Sequence, residues 1–81
     1  MKLHGLLWIQ RGLLVENWCL EWVCAGEFGA VIDQLFKWYD HLAQDLGKEA
    51  SIVLDRGHQH LGPNHLKRCE GISVLNLQNQ Y

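Results

Sequence analysis

This sequence contains no threonine, a single proline and only three cysteines. The scarcity of proline excludes a collagen-like chain and a proline-rich linker. An odd number of cysteines leaves at least one thiol unpaired in a monomer, and the spacing of Cys19 and Cys24 does not favour a local disulfide on a strand or on a helix. The chain therefore lacks the disulfide framework typical of small secreted domains, and we expect a cytoplasmic protein with reduced cysteines.

Long uncharged apolar runs are also missing. No stretch reaches the length of a membrane span without a charged residue, and the apolar start ends at Gln10 and Arg11 without a signal-peptide cleavage site. Positive charge is not in excess, because the formal net charge is -2 and the pI is about 6.2. A general nucleic-acid binder is normally basic, so we expect neither a membrane nor a nucleic acid as the partner.

The chain does contain enough apolar material to fold, since 48% of its residues are hydrophobic and 20% are charged. Its 81 residues have room for one hydrophobic core, and we therefore predict that residues 1–81 form a single domain. Four tryptophans in so short a chain are the most unusual part of the composition.

The clearest predicted element is a long helix over Glu27–Leu46, followed by Gly47 as a C-terminal stop. Trp38 widens its apolar stripe beyond what one sheet face needs, which indicates either deeper burial or a partner. Apolar residues recur in this segment at helical spacing: Phe28, Val31, Ile32, Leu35, Phe36, Tyr39, Leu42, Ala43 and Leu46.

After the helix, Ala50–Asp55 has the length and apolar content of a buried strand. Arg56–Asn64 has the composition of a loop, and His65–Cys69 is predicted to form a short helical turn. Ile72–Leu77 is predicted to be the closing strand.

The first 25 residues allow two interpretations. As a helix, their apolar residues spread around the whole circumference, whereas as strands they largely share one face. We favour a hairpin of Leu3–Ile9 with Leu13–Val23, joined by a turn at residues 10–12. A buried helix over Leu13–Cys24 is the alternative.

Together these elements predict an α+β fold: a small four-stranded, mostly antiparallel sheet with one long helix packed on one face. The element order is β-β-α-β-(short α)-β. A sheet with one helix has one uncovered face. If tryptophan side chains lie on that face, they form an exposed apolar patch of the kind that usually marks an interface.

Acidic residues are concentrated in the middle of the chain. Residues 16–49 hold seven of the nine acids but only two lysines. The predicted helix therefore has an acidic outer face. Such a face either keeps a small protein in solution or docks a basic partner.

A histidine-rich segment supplies candidate metal ligands. His58 and His60 project to one side if their segment is extended, and His65 and Cys69 share one face of a helical turn. Imidazole and thiolate are good zinc ligands, so two such pairs could close a tetrahedral site. The spacing lacks a C-x-x-C knuckle, and the alternative is a solvent-exposed loop with Cys69 packed inward.

The same segment has two catalytic interpretations: a small metal-dependent hydrolase built on these candidate ligands, or a small hydrolase that uses Asp55 and the adjacent histidines. Asp55 ends a strand, where it could exchange protons with a neighbouring histidine, and Arg56 or Lys67 could hold an anion. A nucleophile–base pair of Cys69 and His65 is a further variant. No signature motif accompanies either arrangement.

The tryptophans favour interaction over catalysis. Trp is enriched at binding hot spots, and a core of this size supplies only a few kcal/mol without further support. We therefore expect a small, non-enzymatic binding or regulatory protein without a required cofactor, acting through an aromatic-rich interface as a homodimer or with another protein. The predicted interface residues are Trp8, Trp18, Trp22 and Trp38.

Overall fold

A computed structural model describes residues 4–12, 14–46 and 50–77, with side chains at all of these positions except 14–18 and 43–46. A single 3-10 turn, His58–His60, lies between the third strand and the second helix. The strands and helices are β1 (Gly5–Arg11), β2 (Leu14–Trp22), α1 (Ala25–Leu46), β3 (Ala50–Asp55), α2 (Pro63–Arg68) and β4 (Ser73–Leu77).

The four strands form one sheet in the order β2-β1-β3-β4. β1 is antiparallel to both β2 and β3, whereas β3 and β4 are parallel. The predicted α+β fold and its element order are confirmed. The start of the chain is a hairpin, as the shared apolar face of its strands predicts, and the alternative of a buried helix over Leu13–Cys24 is wrong.

The hairpin carries an irregularity that its apolar pattern does not show. Trp8 pairs with Cys19, but Gln10 pairs with Val15, so two steps along β1 match four steps along β2. Extra residues of this kind bend a strand and change the direction of its side chains. Gly12 turns the chain with a φ of +62°, a left-handed conformation that glycine adopts without steric cost.

Helix α1 begins at Ala25, two residues before the predicted start. The backbone N–H of Glu27 donates to the carbonyl of Cys24 over 3.0 Å, and its carboxylate Oε2 accepts the backbone N–H of Val23 over 3.1 Å. An acid in the first turn also complements the positive end of the helix dipole. Glu27 thus joins the end of the hairpin to the start of the helix.

The core lies between α1 and one face of the sheet. Each fully buried aliphatic or aromatic side chain contributes about 1.5–3 kcal/mol relative to exposure. The core residues are Leu7, Ile9, Trp22, Phe28, Ile32, Leu35, Phe36, Tyr39, Ala50, Ile52 and Leu54.

The connection from β3 to β4 needs a crossover because these strands are parallel. It begins at Arg56 (φ +70°) and Gly57 (φ +92°), where the chain turns sharply. A Cβ on Gly57 would lie 2.9 Å from the ring of Phe28, so glycine permits both the turn and the close packing. Helix α2 starts at Pro63 rather than at the predicted His65, since proline suits the first helical position.

No helix in the described part of the chain is long and apolar enough to cross a membrane.

Candidate interaction surface

Helix α1 covers one face of the sheet, and we call the opposite surface the helix-free face. Side chains alternate between the two faces along each strand. In β1, Gly5, Leu7 and Ile9 are buried, whereas Leu6 and Trp8, which point the other way, are half-buried. Among the residues whose side chains are described, the apolar ones on the helix-free face are Leu6, Trp8, Val53, Leu75 and Leu77.

One row of residues crosses all four strands of the helix-free face. Trp8 lies directly opposite Cys19 on one side and Val53 on the other, and Val53 lies opposite Leu75. Val53 is only 1% exposed although it does not belong to the core cluster under α1. Its cross-strand neighbours on the helix-free face therefore shield it, and the centre of this face is apolar.

Two side chains on the same face remain largely open. Leu75 is 45% exposed and Leu77 is 44% exposed. Both belong to β4, which is exposed over most of its length. The two leucines extend the apolar row to the edge of the sheet, and an exposed apolar surface of this kind is a place where a partner can bind.

Polar groups border this apolar centre. The indole N–H of Trp8 donates to Gln10 Oε1 over 3.0 Å, so the tryptophan has its polar atom satisfied at one end and presents its ring. The hydroxyls of Ser51 and Ser73 lie 3.0 Å apart beside it. An apolar centre with a polar rim is the usual anatomy of a protein–protein interface.

The opposite end of the face is also polar. Nε2 of His4 and Oε1 of Glu21 lie 3.0 Å apart, and both side chains are more than half exposed. Such an exposed contact contributes little to stability. The contact between His4 and Glu21 does show that the apolar part of the helix-free face ends at this point.

The structure separates the four tryptophans that the composition groups together. Trp8 lies on the helix-free face. Trp38 is half-buried against the core from α1, and the side chain of Trp18 lies outside the described residues. Trp22 is 1% exposed, so its assignment to an interface is corrected: its place is the core.

Trp22 is buried because the end of β2 turns it under the start of α1. Its ring centroid lies 5.6 Å from Phe28 and 5.3 Å from His60, both edge-on. Gly5, directly opposite on β1, leaves room for the indole, since a Cβ at that position would overlap it. Strand register, rather than residue type, decides which tryptophan is buried.

The predicted zinc ligands are not brought together. His58 and His60 lie on a 3-10 turn, not on an extended segment. Residues two apart on a helix with three residues per turn point about 120° apart. His58 is exposed, whereas His60 packs against Trp22 and Phe28 with its Nε2 buried and without a hydrogen-bond partner among the described residues.

The other two predicted ligands are engaged elsewhere. Nδ1 of His65 accepts the backbone N–H of Gly62 over 3.3 Å, and its Nε2 lies 3.3 Å from Oδ1 of Asp33, so both ring nitrogens are occupied. Burial raises the pKa of the Cys69 thiol, which packs against the core. A nucleophile needs the thiolate, which this burial disfavours. No group of three metal-ligating side chains occurs among the described residues.

A shallow cleft of about 510 Å³ separates α1 from α2. Arg68 pairs with Asp40 and lies 5.2 Å above the centroid of the Phe36 ring. Asp33 pairs with His65. The helical pattern identifies these acids only as an outer face, because the cations that meet them belong to another element. Two carboxylates of the predicted acidic surface are thus already paired within the chain.

Comparison with protein-family models, curated protein sequences and solved structures gave no match.

Proposed function

We propose that this chain is a small, non-enzymatic binding protein that works as a homodimer through its helix-free face. The observation that carries the proposal is the apolar row around Val53, which the sheet presents on the side away from α1. Trp8 is the anchor of this surface, since a tryptophan with a satisfied N–H offers a large apolar area at a small entropic cost.

A second copy is the partner that the face fits best. In a two-fold contact the same surface lies on both sides, so an apolar centre meets an apolar centre. Two sheets packed in this way lie about 10 Å apart and interdigitate their side chains. Asp55 lies between Leu6 and Leu77 on this face, so the apolar centre is the row through Trp8, Val53 and Leu75.

The size of the face predicts the strength of the contact. Four strands about 4.8 Å apart and about five residues long present roughly 15 by 17 Å of surface. Stable interfaces bury about 800 Å² on each partner, and this face is well below that size, so we expect a weak contact from this face alone. All three cysteines are unpaired, which supports our further proposal that the protein works in a reducing compartment such as the cytoplasm.

Sedimentation equilibrium at micromolar concentration tests this function. Trp8→Arg places a charge at the centre of the face, while the methylene stem of the arginine still covers Val53. The matched control is Leu66→Arg, at a leucine of α2 that is 56% exposed. We expect the average mass of Trp8→Arg to fall below that of the wild type and of Leu66→Arg at equal concentration. Equal masses for all three folded proteins would contradict the proposal.

A further inference from the structure

The two edges of the sheet differ in how well they are protected against a further strand. The edge strand β2 contains Glu16 and Glu21 and is irregular in its register, and both features discourage pairing. The other edge strand, β4, is Ser-Val-Leu-Asn-Leu, with no charge and no proline. Among the described strands, β4 therefore has the outer edge that is less protected against a further strand.

Hydrogen bonding to β3 fixes which backbone groups of β4 point outward. The backbone N–H of Arg56 donates to the carbonyl of Leu77 over 3.1 Å, so Leu77 faces the β3 side. Backbone groups alternate between the two edges of a strand, which turns Ser73 and Leu75 toward β3 as well. Val74 and Asn76 then direct their N–H and C=O groups outward, where the described residues include no further strand.

We propose that the outer edge of β4 pairs with β4 of a second copy, antiparallel and centred on Leu75. In this register Val74 lies opposite Asn76 of the second copy, and each such pair exchanges both of its N–H···O bonds, about four bonds in all. No like charges meet, because the segment is uncharged. The same pairing at β2 would bring glutamates together.

This contact goes beyond the helix-free face, because it uses backbone groups at the sheet edge. A two-fold axis between antiparallel edge strands stands perpendicular to the sheet, so both helix-free faces point the same way. The two four-stranded sheets then form one continuous sheet of eight strands. The exposed leucines of the two β4 strands then lie side by side at its middle.

The test uses Trp8→Arg as the starting protein, so that face-to-face contact does not contribute. Asn76→Pro removes an outward N–H and no bond to β3, a substitution that edge strands tolerate. We expect Trp8→Arg, which keeps only the edge contact, to sediment as a dimer and Trp8→Arg with Asn76→Pro as a monomer, whereas the wild type, which keeps both contacts, sediments above the mass of a dimer. If the proline variant does not fold, Asn76→Lys replaces it, with Gln59→Lys as its control, and we expect only Asn76→Lys to weaken the dimer, by about tenfold or more.

Amide hydrogen exchange of the same Trp8→Arg protein gives an independent reading. The amides of Val74 and Asn76 should gain protection as concentration rises, whereas those of Leu75 and Leu77 should be protected at every concentration. Equal masses with and without the substitution at Asn76, or free exchange of Val74 and Asn76 at high concentration, would overturn the edge contact. The helix-free face is tested separately, by comparing Trp8→Arg with the wild type.

Discussion

Trp8 and Val53 lie directly opposite each other on adjacent strands of the helix-free face, and Val53 is 1% exposed although it lies outside the core under α1. Directly opposed side chains on one face lie about 5 Å apart and stabilise the sheet. The sheet thus has a small second apolar cluster on its uncovered side. The same residues therefore contribute both to the stability of the monomer and to the surface that we propose for association.

Truncation of Val53 should therefore affect both properties. Val53→Ala removes two buried methyl groups and leaves a cavity, and we expect a loss of about 2 kcal/mol in the free energy of unfolding. Urea denaturation measures this at a concentration where the protein is monomeric. A loss below about 0.5 kcal/mol would mean that Val53 is not packed as described, and an unchanged sedimentation profile would separate it from the interface.

Alanine substitutions at two glycines distinguish the free-energy cost of backbone strain from the cost of a steric clash. Gly57 and Gly12 both have positive φ, but a Cβ on Gly57 would lie 2.9 Å from Phe28 and 3.0 Å from Trp22, whereas a Cβ on Gly12 meets nothing within 4 Å. We expect Gly12→Ala to cost about 1–2 kcal/mol, the strain alone, and Gly57→Ala to cost clearly more. Thermal unfolding of the two variants gives the comparison. Equal losses would show that the packing around Gly57 yields easily.

Stability should fall at alkaline pH partly because of Cys69. Burial raises the pKa of this thiol in the folded chain, with Arg68 opposing the shift. The folded state then holds the proton more tightly than the unfolded state, so the contribution of Cys69 is complete below the unfolded pKa of about 8.5 and is lost as pH rises through the folded value. We expect the free energy of unfolding to decline less steeply above this pH in Cys69→Ala than in the wild type. Parallel declines would exclude this role.

The long helix and the strands can be predicted from the spacing of apolar residues. When one face of an element is buried, apolar residues recur along the sequence at the period of that element. The helix start differs by two residues, since it depends on how Glu27 meets Val23 rather than on periodicity. The loop-like composition around Pro63 hides the start of α2, although proline suits the first position of a helix.

The candidate site is only partly predictable. The uncovered face and its tryptophan follow from one helix on one sheet, but the choice of Trp8 over Trp22 depends on strand register. The zinc prediction assumed an extended chain at His58 and His60, whereas Gly57 and the crossover impose a 3-10 turn. Asp33 pairs with His65, and Asp40 pairs with Arg68. Both pairs depend on where α2 packs against α1, which no local sequence pattern determines.

The most direct measurement of the central claim is an isotope-filtered nuclear Overhauser experiment on a mixture of labelled and unlabelled protein, at a concentration where the chain associates. This experiment detects contacts between copies only. We predict intermolecular signals between the indole ring of Trp8 and the methyl groups of Leu6, Leu75 or Leu77 of the other copy. Intermolecular signals confined to α1, for example at Trp38 and Leu42, with none at Trp8, would contradict the account.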